Sequence, residues 1–427
     1  RMAAAQLAAG RPQERDPLAR RGGRILGRMG SLPPRPHPLA RAKAANWSIR
    51  ALQALWDRGI TPKPALEPAY LWEIGSRGFE TADEGAGRSQ AEVADFRERL
   101  EVLCASLRTE ADLNALGHTM AYGQLTSAIR KRHALGRIWR TEPELAQTPI
   151  AAPIVVVGQM RAGTTRMHRL LAADPRHAGT RFCNSHNPVP VTPDWRPFKA
   201  GAALAIARRV NPWLEALHPF GSTRTDEEIG WLAGALSPAT FEAQWHIPGF
   251  VAWSEASDPM PVYAEFARIL RMDAATMGDA TRPRVLKCPQ FSEDLPALLA
   301  QFPDARLVVA RRDAAEVLES SVSLVASQSG MQSDSADLGR LTAEWQRKLA
   351  LRQQRIERAL GTFEGHVAHV DFARLNTDWE REIAQVYATL DIPLSQEALG
   401  AMRAEHDRAA GGQHTAHRRQ IEEFAAG

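Results

Sequence analysis

The stretch V-V-V-G-Q-M-R-A-G-T-T-R-M-H-R-L-L, Val155 to Leu171, constrains this chain more than any other, because it reads as a strand, a glycine-rich turn and a helix in direct succession. Backbone amides and a helix N-terminus meeting at such a turn form a site for an anion. In a triphosphate-binding loop of the form G-x-x-x-x-G-K-[ST], a lysine follows the second glycine and the hydroxyl holds magnesium. Here Gly158 and Gly163 keep the spacing, but Thr164 stands in the lysine position and Arg161, inside the loop, supplies the cation. A group with fewer charges than a triphosphate, such as a phosphosulfate, needs less neutralisation and no metal. Glycine between a strand and a helix also serves merely to close a turn, so the loop needs support from the rest of the chain.

At 427 residues the chain is long enough for a full α/β core plus an additional helical layer. Residues 1 to about 45 mix arginine, proline, glycine and alanine without period and read as a disordered basic arm. From about Ala45 to Arg140 apolar residues recur at helical spacing, as in Val93–Leu107 and Leu125–Leu135, so residues 46–150 read as a helical N-terminal region. Residues 151–427 then form the main domain. Short β-branched runs at Ile154–Val157, Val285–Lys287, Leu307–Ala310 and His366–Val370 alternate with helical patterns, which predicts a doubly wound parallel sheet. The long segment between the first two runs, about 183–280, is rich in proline and tryptophan. It reads as a helical cap over the carboxyl edge of the sheet, where such folds bind ligands.

Cys104, Cys183 and Cys288 have no zinc or disulfide spacing and point to a reducing, cytoplasmic setting. No apolar run approaches the ~20 residues of a membrane helix, and the N-terminus lacks a signal-peptide core, so a soluble protein is expected. His414, His417 and the other histidines form no metal-ligand pattern, and no metal site is predicted. Net charge is +4 and the pI about 9.1, which suits an anionic ligand without demanding nucleic acid.

A second motif lies in L-V-V-A-R-R-D-A-A-E-V-L-E-S-S-V-S-L, Leu307 to Leu324. Arg312 stands at a strand end, Asp313 and Glu316 form a capping-box pattern, and Ser320 lies two turns into the helix, where its hydroxyl can approach what Arg312 contacts. The two motifs in this order resemble the sulfotransferases that use 3′-phosphoadenosine 5′-phosphosulfate (PAPS), in particular a diverse, largely bacterial branch with a helical N-terminal region. That family's loop commonly reads P-R-S/T-G-T-T-L-L-H-R-L-L, and its strand-end R-D-P with a following serine holds the 3′-phosphate. V-L-K-C-P-Q-F (Val285 to Phe291) is similar to its V-L-K-S-P-x-H, H-P-F-G-S-T-R-T-D-E-E (His218 to Glu228) to its H-P-x-G-x-x-x-P-E-E, and H-R-R-Q-I-E-E-F (His417 to Phe424) to its H-R-Y-S-L-E-D-F. Departures are Met160, Ala314, Phe291 and Arg419 in place of a proline, a proline, a histidine and a tyrosine.

The resemblance implies a phosphate-loop α/β fold and transfer of a sulfuryl group from PAPS to a hydroxyl or amine, without a metal. Arg161, Ala162, Gly163, Thr164, Thr165 and Arg166 would hold the 5′-phosphosulfate, and Arg312 and Ser320 the 3′-phosphate. Lys287 matches the active-site lysine that stabilises the leaving phosphate. The position two residues later, a histidine base in cytosolic sulfotransferases, is Pro289. The base is therefore expected at Glu227 or Glu228, with His168 as the other candidate, although acids in a first helical turn also simply suit the helix dipole. The acceptor stays open among a small molecule, a lipid, a sugar and a peptide. Tryptophans and prolines in the cap favour an apolar or aromatic-bearing one, and a homodimer is compatible with the sequence. Two rival readings are a phosphate-loop nucleotide kinase or hydrolase, against which the absent lysine counts, and a non-enzymatic scaffold that binds adenosine phosphates.

Overall fold

The computed structural model describes residues 35–217 and 219–409. Its first strand, β1 (Ile154–Gly158), is buried at every position, as a strand covered on both faces must be. Four more strands join it: β2 (Ala178–Gly179), β3 (Arg284–Lys287), β4 (Arg306–Arg311) and β5 (Val367–Asp371). They pair in the order β2-β3-β1-β4-β5, every pair parallel. The four strands expected from sequence are all present, within a residue or two at their ends. The short β2 is an addition; two residues give no pattern that sequence reading can detect.

Alternate residues of each strand enter different cores. Val155, Val157, Leu286 and Leu307 pack with Phe266 and Phe291 on one face, while Ile154, Val156, Val285 and Val308 pack with Met167, Leu171 and Tyr387 on the other. In register, Val156 lies beside Lys287 and Gly158 beside Ala310. The end of β1 thus opens between Lys287 and the residues just before Arg312, at the carboxyl edge of the sheet.

The N-terminal helices are α1 (Lys43–Asp57), α2 (Pro68–Ser76), α3 (Thr81–Gly85), α4 (Gln90–Thr109) and α5 (Ala115–Thr141). Each of the long pair has a side-chain start signal: Ser89 with Glu92 in a capping box, and Asn114 accepting from the Leu116 and Gly117 amides. Phe96, Leu100 and Leu103 of α4 share a core with Phe241, Trp245 and Phe250, so these helices and the cap are one body.

Of the stretch read as a basic arm, residues 1–34 lie outside the described residues. Its remainder is anchored: Arg35 is 2% exposed and donates to the Ser323 carbonyl at 3.0 Å, and Arg41 pairs with Asp334 at 2.6 Å. Arginine buries an apolar stem while its fork satisfies carbonyls and carboxylates, so these residues need no solvent.

The cap follows α6 (Thr164–Ala172) and consists of α7 (Phe182–His186), α8 (Arg196–Val210), α9 (Leu214–Leu217), α10 (Ile229–Gly234), α11 (Ala239–Glu242), α12 (Pro248–Ala256) and α13 (Met260–Met277). The later helices are α14 (Phe291–Gln301), α15 (Ala314–Gln332), α16 (Leu338–Leu360), α17 (Phe372–Thr377), α18 (Trp379–Thr389) and α19 (Gln396–Ala409).

Candidate active site

The loop between β1 and α6 needs both of its glycines. Gly158 has φ +142°, and a Cβ there would come within 2.6 Å of the Ala310 carbonyl oxygen. Gly163, the residue before α6, has φ +84°, and a Cβ would meet the Phe372 ring at 2.3 Å. Between them Arg161 adopts φ +68°, a left-handed conformation that is costly for a non-glycine residue and concentrates at functional sites.

That conformation brings Arg161 to the second motif. Its Nε donates to Ser320 Oγ at 2.9 Å, and Arg312 Nη1 donates to the Arg161 carbonyl at 2.8 Å. Arg312 also lies over the Phe372 ring, 4.5 Å from its centroid. Burial, and after it the charge of Arg312, push the Arg161 guanidinium down to about 10. Two crowded cations of this kind are relieved by an anion. The capping box expected at the start of α15 is half formed. Asp313 accepts from the Ala315 and Glu316 amides, but Glu316 turns outward to Arg312 at 2.8 Å, because a charged partner within reach outweighs a backbone amide.

Lys287, the last residue of β3, points its ammonium at the same loop. Nζ donates to Thr165 Oγ1 at 3.2 Å and forms a close ion pair with Glu227 Oε1. The two neighbouring acids diverge. Glu228 is fully buried and accepts the Lys287 backbone amide at 2.8 Å, and burial pushes its carboxyl up to about 8. Glu227 faces a cavity. Its backbone is pinned by Ser185 Oγ, which donates to its carbonyl at 2.6 Å, and by Asp226 Oδ1, which accepts its amide at 2.8 Å. Arg169 of α6 ties the preceding segment down through the Thr225 and Pro219 carbonyls, at 3.2 and 2.8 Å.

The cavity measures about 1150 Å³. Arg161, Gly163 to Arg166, Glu227, Lys287, Arg312 and Ser320 all line it, and Phe182, Leu204, Phe220 and Trp345 supply apolar wall. Cations at the ends of strands, a glycine loop, a carboxylate and an adjoining apolar chamber can together bind a charged donor beside an apolar acceptor.

The same residues fall inside a recognised family. A family model described as the sulfotransferase family matches residues 153–396. The chain belongs to the sulfotransferase family. Its fold is also similar to the crystal structure of sulfotransferase STF1 from Mycobacterium tuberculosis H37Rv, at 26% identity and TM-score 0.70, over 85% of this chain and 100% of that one. A second similar fold is sulfotransferase STF9 from Mycobacterium avium, at 19% identity and TM-score 0.71, over 81% of this chain and 88% of the other. No curated relative matches it.

Three expected site residues of this sulfotransferase stand off the cavity wall. Ala162 is 2% exposed beneath the loop, and Glu228 is turned to β3. His168 is fully buried, and its Nε2 donates to the Val285 carbonyl at 3.1 Å. Burial first, then Lys287, push this imidazole down to about 3, so it stays neutral and holds α6 against β3 instead of facing the chamber. One turn into a helix packed on a sheet, a side chain points to the sheet as readily as to the ligand, and the sequence does not separate the two.

Two cap tryptophans are likewise structural. Trp231 Nε1 donates to the Asn184 carbonyl at 2.8 Å and Trp245 Nε1 to Gln332 Oε1 at 2.7 Å, and among the described residues the one tryptophan on the cavity wall is Trp345, outside the cap. Phe372, Asn376 and His406 join the wall unannounced. Phe372 and Asn376 follow β5 directly, and residues just past a parallel strand's carboxyl end are where a sequence reader could have looked. Asn376 and His406 both hold the Arg166 guanidinium, His406 Nδ1 at 3.1 Å. His218 and the His417–Phe424 motif lie outside the described residues. Among the described residues no His, Cys, Asp and Glu group is arranged to hold a metal ion, and no helix is long and apolar enough to cross a membrane.

Proposed function

We propose that this sulfotransferase carries a sulfuryl group from PAPS to a hydroxyl or amine of an acceptor held in the cavity. PAPS supplies an activated sulfuryl group on a good phosphate leaving group. The residues suit that donor: Arg161, Gly163, Thr164, Thr165 and Arg166 would hold its 5′ end, and Arg312 with Ser320 its 3′-phosphate. Arg161 crowded by Arg312 is the arrangement an anion relieves.

The observation that carries the mechanism is the Lys287–Glu227 ion pair against Thr165 of the loop. Lys287 neutralises charge that develops on the leaving oxygen, and Glu227 accepts the proton of the attacking hydroxyl. Glu228 holds the Lys287 backbone in place. A kinase reading needs a loop lysine where Thr164 stands. Three buried free cysteines support a reducing compartment, the cytoplasm.

The test uses sulfur-35-labelled PAPS with a panel of hydroxyl acceptors. Glu227→Gln removes the charge at nearly constant shape and is expected to lower kcat by roughly 10²- to 10⁴-fold while PAPS affinity holds. Near-normal turnover in that variant, with loss in Glu228→Gln, would move the base to Glu228.

A further inference from the structure

One cap helix, α8, carries the cavity wall on one side and an exposed apolar face on the other. The described residues expose seven large apolar side chains, and four of them, Val191, Trp195, Phe198 and Ile206, lie on α8 or in the few residues before it. Phe198 is 71% exposed, Ile206 67% and Trp195 57%. Scattered singly, such residues are ordinary; gathered on one helix face they mark a contact surface.

Helical spacing does gather them. Trp195, Phe198, Ala202, Ile206 and Arg209 step by three or four residues and so share one face, with Lys199 at its border, and all six are exposed. The Trp195 and Phe198 rings meet edge to face, 6.3 Å apart. Ala200 and Leu204, on the opposite face, are buried. α8 has four basic residues and no acidic one, and Asp194 just before it is already bridged by Arg181 and Arg196, at 3.0 and 2.8 Å. α1 packs on α8 and repeats the pattern, with Lys43, Trp47 and Arg50 exposed at the same spacing. The cavity reaches α8 from within, at Ala203, Leu204 and Ala207. Ala203 is itself exposed and lies one helical step from Lys199 and Ile206, so chamber and apolar face adjoin there.

Aromatic and aliphatic side chains beside lysine and arginine on one exposed face are what a helix lying in the surface of an anionic bilayer presents. The apolar groups enter the acyl boundary, and the long basic side chains reach the phosphates. A second copy of this chain fits less well, because a two-fold pair across α8 would set Lys199 and Arg209 against their like. We propose that the outer face of α8, with α1 beside it, docks on the anionic surface of a lipid bilayer. The chamber's edge at Ala203 then lies at the membrane, and on the sulfotransfer reading above the acceptor enters from the lipid.

The test is sedimentation of the full chain, without nucleotide, with vesicles of phosphatidylcholine alone and of phosphatidylcholine with about one-third phosphatidylglycerol. Binding to the anionic vesicles is expected to be roughly 10-fold stronger than to the neutral ones. Phe198→Ser with Ile206→Ser should lower it roughly 10-fold or more, since each loses an apolar group that lipid would cover. Lys199→Gln with Arg209→Gln should lower it roughly 10-fold on anionic vesicles and leave neutral ones unchanged. As a control, Arg358→Gln with Arg381→Gln removes the same charge from α16 and α18 and should lower it by less than about twofold. All six altered side chains are exposed, so the variants are expected to keep the wild-type Tm. No binding to anionic vesicles, or binding that neither α8 variant lowers more than the control pair, overturns the docking face. A dimer in light scattering that Phe198→Ser with Ile206→Ser splits overturns it too, and makes the face a contact between copies. Because no nucleotide is present, failure here leaves the sulfotransfer reading standing, and failure of the bisphosphate to bind leaves the docking face standing.

Discussion

Two arginines, Arg161 and Arg352, line one cavity and are held in opposite electrostatic states. Arg161 is pushed down to about 10 by burial and by a neighbouring cation, Arg312. Arg352, against the opposing effect of burial, is held above its ordinary value by Glu293 and Glu242. An arginine repelled by its neighbours favours an incoming anion. One already paired with two carboxylates has its charge balanced inside the protein and offers an incoming anion little. The difference also lies in construction. The loop end takes its groups from strand ends, with Lys287 closing β3, Arg312 following β4 and Phe372 following β5. Arg352 takes its partners from helices α11 and α14, brought to α16 by packing alone.

If the loop end is the charge-handling end, its lysine matters most. Lys287→Ala should reduce kcat by roughly 10²- to 10³-fold, as the loss of one electrostatic donor at a developing charge does, with a smaller change in nucleotide affinity. Steady-state kinetics checks this, and a loss below tenfold would take Lys287 away from the leaving oxygen.

Next in size is recognition of the 3′-phosphate. Arg312→Ala should weaken 3′-phosphoadenosine 5′-phosphate by about 1.5 to 3 kcal/mol, and adenosine 5′-phosphate much less. Ser320→Ala should follow more mildly. Glu242→Gln should leave both nucleotides within about twofold, since the partners of that carboxylate are Arg352 and Lys348 and not Arg312 or Ser320. Equal losses for the two nucleotides, or a loss from Glu242→Gln, would break the division between the ends.

The smallest effect concerns Glu228. Its carboxyl is raised from an ordinary 4.5 to about 8 by burial. The folded state therefore binds a proton that the unfolded chain has lost, so the stability tied to this group is full below pH 4.5 and is lost as pH rises through about 8. Glu228→Gln, permanently neutral, should raise Tm by a few degrees at pH 8.5 and change it little at pH 5. A Tm difference that is the same at both values would mean the carboxyl is not held protonated.

What could be read from the sequence follows the same division. Lys287 closes β3, Arg161 and Gly163 stand in the loop after β1, and Arg312 follows β4 with Ser320 two turns into the next helix, so local pattern was enough to bring them together. Glu227 and Glu228 were legible as a pair but not as two roles, because which one faces the cavity depends on the turn of chain held by Ser185 and Arg169. His168 was misleading for a like reason: its neighbour across the helix–sheet interface, the Val285 carbonyl, is 117 residues away. Arg352 carries no local signal at all. It is an ordinary helix residue until α11, α14 and α16 meet. Trp231 and Trp245 show the converse, a compositional signal for ligand stacking whose residues packing takes into the core.

The central claim is that the loop end binds a 3′,5′-phosphorylated adenosine without a metal. The most direct measurement is thermal unfolding of the full chain with 3′-phosphoadenosine 5′-phosphate in the presence of a chelator, set beside ATP with magnesium. Stabilisation by the bisphosphate is expected, ~2.7 kcal/mol at a hundredfold excess over its Kd, with none of it dependent on metal. Stabilisation by ATP that requires magnesium, with none from the bisphosphate, would contradict it.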